Sequence, residues 1–181
     1  MKIVPLLLAL PIGLATSACA TASSDGAAPA AAPTVHAGLA AGDGSTRGTA
    51  TVTEAGDGLH VLVKATGLTP GIHAVHIHTT GTCTGPDFTS AGGHWNPTGR
   101  QHGKDNPAGM HMGDMPNMVA GSDGTGELEY VVPHGQIQGG ETPLLDADGA
   151  ALVIHAQADD NKSDPAGNAG GRVACGVLKA G

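Results

Sequence analysis

Aromatic and basic side chains are scarce in this sequence. Trp95, Tyr130 and Phe88 are the only aromatic residues among 181, whereas glycine occurs 30 times and proline 12 times. Few aromatics with many glycines and prolines are typical of short strands joined by frequent turns, which favours an all-β domain. Eight Lys and Arg stand against sixteen Asp and Glu, a net charge of −8 without a basic stripe. This balance argues against nucleic acid and anionic membrane surfaces as partners.

Long apolar runs are also missing, and the clearest apolar stretch lies at the N-terminus. Lys2 precedes a short apolar stretch over residues 3–14, and small residues follow it. This order is typical of an export signal, and the stretch is too short to span a bilayer. We therefore predict a signal peptide over residues 1–19.

The predicted signal can end in two ways. Residues 18–20 read Ala-Cys-Ala, which suits ordinary cleavage, but a small residue before Cys19 is also typical of a lipoprotein signal. Of the three cysteines, Cys83 and Cys175 lie in the folded part and can pair, so lipidation would explain the remaining one. Thr16 stands where lipoprotein signals usually carry a large aliphatic side chain, and both endings stay open.

The rest of the chain divides into a linker and one domain. Residues 20–33 are mainly alanine, serine, glycine and proline without an apolar period, which predicts a disordered linker. From residue 34 onward, short β-type runs alternate with glycine-rich turns, so residues 34–181 form the predicted domain. The predicted strands cover residues 34–39, 49–53, 59–65, 72–78, 127–132, 151–156 and 173–178.

One long irregular segment requires something to order it. Residues 79–119 show no helix or strand period, and such loops are uncommon in compact domains unless function or a cross-link orders them. His94, His102, His111 and Asp114 stand in this segment among glycines, prolines and asparagines. Three imidazoles and a carboxylate match a closed tetrahedral zinc site, which would order the loop. A solvated loop with scattered histidines is the alternative.

Histidines also alternate with aliphatic residues on two predicted strands. In the run 72–78, His76 and His78 share one face, and the aliphatic residues beside them share the other. In the run 151–156, His155 likewise points away from the aliphatic face. Because imidazole suits both copper and zinc, these strands predict the start of a metal site outside the apolar core.

Five segments of the chain, taken together and in order, carry a family resemblance. They are residues 71–78 (GIHAVHIH), 92–97 (GGHWNP), 111–117 (HMGDMPN), 153–155 (VIH) and 167–176 (GNAGGRVACG). They closely resemble the signature segments of the copper,zinc superoxide dismutases. The resemblance implies a Greek-key β-barrel or sandwich of about eight antiparallel strands, with a long metal-binding loop and a second functional loop.

The resemblance also implies one copper and one zinc ion per subunit. The implied copper ligands are His76, His78, His94 and His155. The implied zinc ligands are His94, His102, His111 and Asp114. His94 would then bridge the two ions as an imidazolate.

Further roles follow from the same resemblance. Asp159 would accept hydrogen bonds from His76 and His102, one ligand of each metal, with an ordinary surface acid as the alternative. Arg172 would attract and orient superoxide, since a protein of net charge −8 needs a locally positive entrance for an anion. Lys162 is a second candidate for this steering, with an ordinary solvated loop lysine as the alternative.

Cysteine and methionine complete the predicted site. The resemblance pairs Cys83 with Cys175 in a disulfide that ties the long loop to the barrel, with two free thiols as the alternative. Four methionines of the segment 110–118 surround His111. Gap-filling contacts are expected of them, rather than thioether ligation of Cu(I).

The reaction that the resemblance implies is dismutation of superoxide to dioxygen and hydrogen peroxide. Copper would cycle between Cu(II) and Cu(I), and zinc would be structural. The expected protein is thus a periplasmic oxidoreductase, a monomer or homodimer, that meets a membrane only through an anchor at Cys19. A non-catalytic copper carrier and a structural β-sandwich with incidental histidines stay open as other functions.

Overall fold

The computed structural model describes residues 31–181, so the predicted signal peptide, Cys19 and most of the predicted linker lie outside the described residues. The described part contains ten strands and a single-turn 3-10 helix over Thr89–Ala91. The strands are β1 (Thr34–Ala40), β2 (Thr46–Ala55), β3 (Gly58–Ala65), β4 (Gly71–His73), β5 (Val75–His78), β6 (Met118–Ala120), β7 (Gly126–Pro133), β8 (Ala151–His155), β9 (Arg172–Val177) and β10 (Lys179–Ala180). Within residues 31–181, no helix is long and apolar enough to cross a membrane.

All ladders of the sheet are antiparallel, and the sheet curls into a nearly closed barrel. The strand order is β4-β6-β7-β3-β2-β1-β9-β8-β5, and β10 pairs with β1. The two ends of this order, β4 and β5, are separated in the chain by Ala74 alone, so the sheet edges meet there. The chain passes from β3 to β4 without pairing them, which gives the Greek-key connection. The predicted all-β barrel is confirmed.

Alternating side chains fill the barrel. Val75 and Ile77 of β5 and Leu152 and Ile154 of β8 have no exposed surface and lie in the same apolar core. This is the aliphatic face that the alternation in the sequence predicts. The histidines between them therefore lie on the opposite face of the sheet, toward the loops.

The predicted strand over residues 72–78 is in fact two strands. β4 pairs with β6 and β5 pairs with β8, and the switch occurs at Ala74, whose N–H donates to the Gln157 carbonyl. Side-chain alternation runs through Ala74 unchanged, so the sequence pattern did not reveal the break. β6 was missed as well, because three residues are too few for a visible period.

Two of the long segments outside the strands carry residues of the predicted metal site. We call residues 79–117, between β5 and β6, the first loop, and residues 156–171, between β8 and β9, the second loop. The predicted disulfide is present: Cys83 of the first loop is bonded to Cys175 of β9, with 5.7 Å between their Cα atoms. Cys175 packs with Phe88, Ala91, Ala151 and Val153 in a second apolar cluster, on the opposite side of β8 from the core.

Candidate metal centre

Four buried histidines meet where β5, the end of β8 and the first loop come together. Each of His76, His78, His94 and His155 can offer one ring nitrogen within 4.8 Å of the others. An antiparallel bridge between His78 and His94 places the first loop beside β5. None of the four is more than 8% exposed. We call this group the four-histidine cluster, and imidazole sets of this kind suit copper and zinc.

A second group shares His94 and adds a carboxylate. The Nδ1 atoms of His94, His102 and His111 lie 2.7, 3.0 and 3.2 Å from Oδ1 of Asp114. The Nδ1 atoms of His94 and His111 are 3.4 Å apart. Around a tetrahedral zinc ion with bonds of about 2.0 to 2.2 Å, ligand atoms are separated by about 3.3 Å. The four atoms therefore converge as a zinc site requires, and we call the group the carboxylate cluster.

Two unpaired nitrogen atoms test whether metal ions fit. His94 uses Nδ1 toward Asp114, while its Nε2 is buried and has no hydrogen-bond partner in the described part of the chain. His76 Nδ1 is buried and unpaired in the same way. Unpaired buried polar atoms destabilise a fold, so native proteins almost always give them a partner. Both atoms belong to residues of the four-histidine cluster, and a metal ion there would satisfy both.

Asp159 links the two clusters by accepting hydrogen bonds from one ring of each. In both rings the donor is the nitrogen that faces away from the cluster. Asp159 Oδ2 accepts a hydrogen bond from His76 Nε2 at 2.8 Å, and its Oδ1 accepts one from His102 Nε2 at 2.9 Å. These bonds put the ring protons on Nε2 and leave Nδ1 of each ring free to bind an ion. Asp159 is 4% exposed, so it is not the surface acid of the alternative interpretation.

Burial keeps three imidazoles of the four-histidine cluster neutral. It lowers the pKa of His78 to about 2, that of His155 to about 3 and that of His94 to about 4, and neighbouring imidazoles act in the same direction. The nearby Arg172 guanidinium also lowers the pKa of His78 and of His155. A neutral imidazole is the form that binds a metal ion.

His102 and the two carboxylates behave differently. Burial by itself would lower the pKa of His102, but hydrogen bonds with Asp114 and Asp159 outweigh it and raise this pKa to about 9. Burial would raise the pKa of either carboxyl group, yet hydrogen bonds from histidines hold the pKa of both well below the ordinary range. Both carboxylates are therefore ionised and able to balance cationic charge.

Arg172 lies at the start of β9, next to the four-histidine cluster. Its Nη1 donates to the Phe88 carbonyl at 2.6 Å, and its Nη2 donates to the Gly92 carbonyl at 2.7 Å. The Gly92 carbonyl also accepts a hydrogen bond from His78 Nδ1 at 3.0 Å. The first loop thus orients the guanidinium and one ring of the cluster through a shared oxygen atom.

The four methionines of the segment 110–118 and Lys162 differ in burial. Met115 and Met118 are in the barrel core, 2% and 1% exposed, and Met110 and Met112 are half-buried. Lys162 is exposed on the second loop.

Asn117 was overlooked by reasoning from the sequence. Its Nδ2 donates to the Asp159 carbonyl at 2.9 Å, and its Oδ1 accepts from the Asp159 N–H at 2.8 Å. This reciprocal pair holds the backbone of Asp159 in place. Asn117 ends the segment 111–117, which could have marked it, but nothing in the spacing identifies a partner 42 positions away.

Comparisons with known proteins agree with this geometry. The family model of copper/zinc superoxide dismutase (SODC) matches residues 46–178. A superoxide dismutase [Cu-Zn] from Caulobacter vibrioides is 47% identical over 142 residues, which cover 77% of this chain and 82% of the relative.

Solved structures give the same result. The crystal structure of a SOD-like protein from Bacillus subtilis has a TM-score of 0.76 and 39% identity, covering 80% of this chain and 97% of that one. The Cu/Zn superoxide dismutase from Brucella abortus has a TM-score of 0.64 and 30% identity, covering 81% and 99%. Since the family model spans most of the chain and close relatives share its fold, the chain belongs to the copper/zinc superoxide dismutase family.

Proposed function

We propose that this chain is a periplasmic enzyme that converts superoxide to dioxygen and hydrogen peroxide, with copper in the four-histidine cluster and zinc in the carboxylate cluster. The observation that carries the proposal is the position of His94, which belongs to both clusters and whose buried Nε2 has no partner among residues 31–181. Copper would be held by His76, His78, His94 and His155. Zinc would be held by His94, His102, His111 and Asp114. When bound, copper supplies the one-electron redox chemistry that dismutation needs, and zinc, which has none, supplies structural order.

The protein's own task at the four-histidine cluster is to aim the ring nitrogens before an ion arrives. His76 donates from Nε2 to Asp159, and His78 donates from Nδ1 to the Gly92 carbonyl. Each bond fixes one ring proton on the side away from the cluster, so the lone pair of the other nitrogen points inward. Preorganisation of this kind avoids rearrangement of the ligands when the charge of the site changes.

Arg172 is the group that we propose for substrate attraction. The whole chain has a net charge of −8, which repels an anion at long range. A guanidinium held beside the four-histidine cluster gives superoxide a local positive target, and it is still charged although burial lowers its pKa.

The compartment is proposed on two features of the chain. The disulfide suits an oxidising compartment, and the N-terminal pattern of residues 1–19 is typical of export. Mass spectrometry of the mature N-terminus separates plain cleavage from a lipid on Cys19, because only the latter adds acyl chains to that residue.

A non-catalytic copper carrier is the second candidate. One relative, 40% identical over 146 residues, is a protein from Bacillus subtilis named superoxide dismutase-like. A shared fold does not by itself establish a shared activity. Against this candidate, the carboxylate cluster, Asp159 and Arg172 are all present here, and copper storage requires none of them.

The deciding experiment combines metal analysis with superoxide turnover. We expect one copper and one zinc per wild-type chain, and turnover far above that of buffer. His155→Ala removes one ligand of the four-histidine cluster and none of the carboxylate cluster, so it should keep zinc and the fold but lose nearly all activity. His36→Ala, which changes an exposed histidine on β1, is the matched control and should keep full activity. Wild-type turnover no faster than buffer would defeat the enzyme proposal and favour the carrier.

A further inference from the structure

Each imidazole of the carboxylate cluster has a second nitrogen that points away from Asp114. His102 Nε2 is bonded to Asp159, and His94 Nε2 is left for the four-histidine cluster. The remaining ring, His111, has its Nε2 4.0 Å from Oδ1 of Asp164, a residue of the second loop that belongs to neither cluster.

The Asp164 carboxylate is hydrogen-bonded to the backbone of a residue of the carboxylate cluster. The backbone N–H of His102 donates to Asp164 Oδ1 at 2.6 Å, across 62 positions of sequence. One oxygen atom therefore touches the backbone of one predicted zinc ligand and faces the ring of another. Asp164 is half-exposed, whereas the side chain of His111 is 9% exposed, so the carboxylate lies between the buried cluster and the solvent-exposed part of the second loop.

The position of Asp164 is fixed by further contacts between the two loops. The Asp105 N–H donates to the Asn161 carbonyl at 2.9 Å, and the Asn106 side chain donates to the Lys162 carbonyl at 3.4 Å. Gly103 has φ +96°, and a Cβ there would collide with the Asn161 backbone, so the loops meet at a place where only glycine fits. The second loop therefore presents Asp164 to the first loop in a defined position.

We propose that Asp164 is a positioning residue of the zinc site. Its carboxylate would anchor the His102 backbone and orient the His111 ring so that Nδ1 points at Asp114 Oδ1. A carboxylate that accepts a hydrogen bond from the outer nitrogen of a ligating imidazole fixes ring orientation and increases ligand basicity, and losing such a partner weakens metal binding about 10-fold to 100-fold. The Asp164 carboxylate, at 4.0 Å, lies beyond hydrogen-bond distance of His111 Nε2, so we expect an effect at the lower end of this range. Asp159 then supports the His102 ring through a hydrogen bond at 2.9 Å, and Asp164 supports the His111 ring through its charge at 4.0 Å. The inference rests on the zinc site of the proposed function.

Two substitutions separate the two contacts of Asp164. Asp164→Asn keeps an oxygen acceptor for the His102 N–H but removes the negative charge that faces His111, whereas Asp164→Ala removes both. Zinc dissociation constants are measured on the full chain by competition with a chelator, and visible absorption is recorded with Co(II) in place of zinc. We expect about 10-fold weaker zinc binding for Asp164→Asn, a larger loss for Asp164→Ala, and altered cobalt bands in both.

Asp160→Asn is the matched control. Asp160 lies on the same loop and is exposed, and its carboxylate accepts hydrogen bonds from the Lys162 and Ser163 N–H groups and from Asn168. The change in charge equals that of Asp164→Asn, but the contacts stay within the second loop. Zinc affinity should change by less than about 2-fold, because an exposed charge that is screened by solvent acts weakly at a distance.

The outcomes are distinct. Unchanged zinc affinity and cobalt bands in both Asp164 variants overturn the inference, and so does an equal loss in Asp160→Asn, which would assign the effect to loop charge. A wild-type chain that binds no zinc contradicts the proposed metal centre itself. If Asp164→Ala unfolds, Asp164→Asn, which retains the backbone contact, decides.

Discussion

At the scale of single residues, the centre is defined by which nitrogen of each imidazole carries its proton. Carboxylate and carbonyl oxygens behind the rings make that choice, and Asp159 makes it for one ring of each cluster. The geometry therefore ties the two predicted metal sites together through a residue that binds neither ion.

Asp159→Asn tests this link. An amide has one acceptor oxygen, so it accepts from His76 or His102 and leaves the other buried N–H facing its own NH₂ group. We expect both metals to bind about 10-fold to 100-fold more weakly. Copper and zinc contents after dialysis against a chelator check the prediction, with Asp160→Asn again as the control. Loss of one metal with full retention of the other would contradict a shared role.

At the scale of elements, the first loop depends on the disulfide for its attachment to the barrel. Cys83 is bonded to β9, and the residues that follow it carry the Phe88 and Gly92 carbonyls that hold Arg172. The bond closes a loop of 92 positions, which limits the freedom of the unfolded chain.

Removing the disulfide should therefore lower both stability and activity. For Cys83→Ser combined with Cys175→Ser, we expect the free energy of unfolding to fall by about 2 to 5 kcal/mol. Activity should also fall, because the carbonyls that orient Arg172 lose their anchor. Denaturant unfolding without reductant measures the first effect, and steady-state turnover measures the second. Reduced wild type should resemble the double variant, and a double variant as stable as oxidised wild type would refute the prediction.

At the scale of the whole molecule, the net negative charge of the protein repels its proposed substrate. The chain has a net charge of −8, and its proposed substrate is an anion, so capture depends on a local field at the four-histidine cluster. Salt screens both the local attraction by Arg172 and the general repulsion by the net charge. If Arg172 guides superoxide, the local attraction is the larger of the two effects on kcat/KM.

Arg172→Gln should remove the local attraction of superoxide to the four-histidine cluster. We expect kcat/KM to fall by about 10-fold or more, with copper and zinc still bound, and the remaining rate to depend less on salt. Turnover measured at several ionic strengths checks this. Lys179→Gln makes the same change in net charge at an exposed position on β10 and should leave kcat/KM nearly unchanged. If both variants respond alike, net charge rather than Arg172 controls capture.

Local pattern and composition in the sequence were sufficient for the all-β class and for the faces of its strands, whereas the barrel was implied by the family resemblance. Alternation in β5 and β8 follows from the two-residue period of a strand, so the burial of Val75 and Ile77 on the face opposite His76 and His78 could be predicted. The family resemblance supplied the Cys83–Cys175 disulfide, which is confirmed, and a ligand set that stays a prediction.

Tertiary structure alone decided which atoms meet. The break at Ala74, the pairing of Asn117 with Asp159 and the contact of Asp164 with His102 join residues that are far apart in the chain, and no local period encodes them. The unpaired nitrogens of His76 and His94 likewise became visible only when every neighbouring donor and acceptor was in place. Periodicity determines which way a side chain points, whereas hydrogen-bond partners depend on the paths of both loops across the barrel.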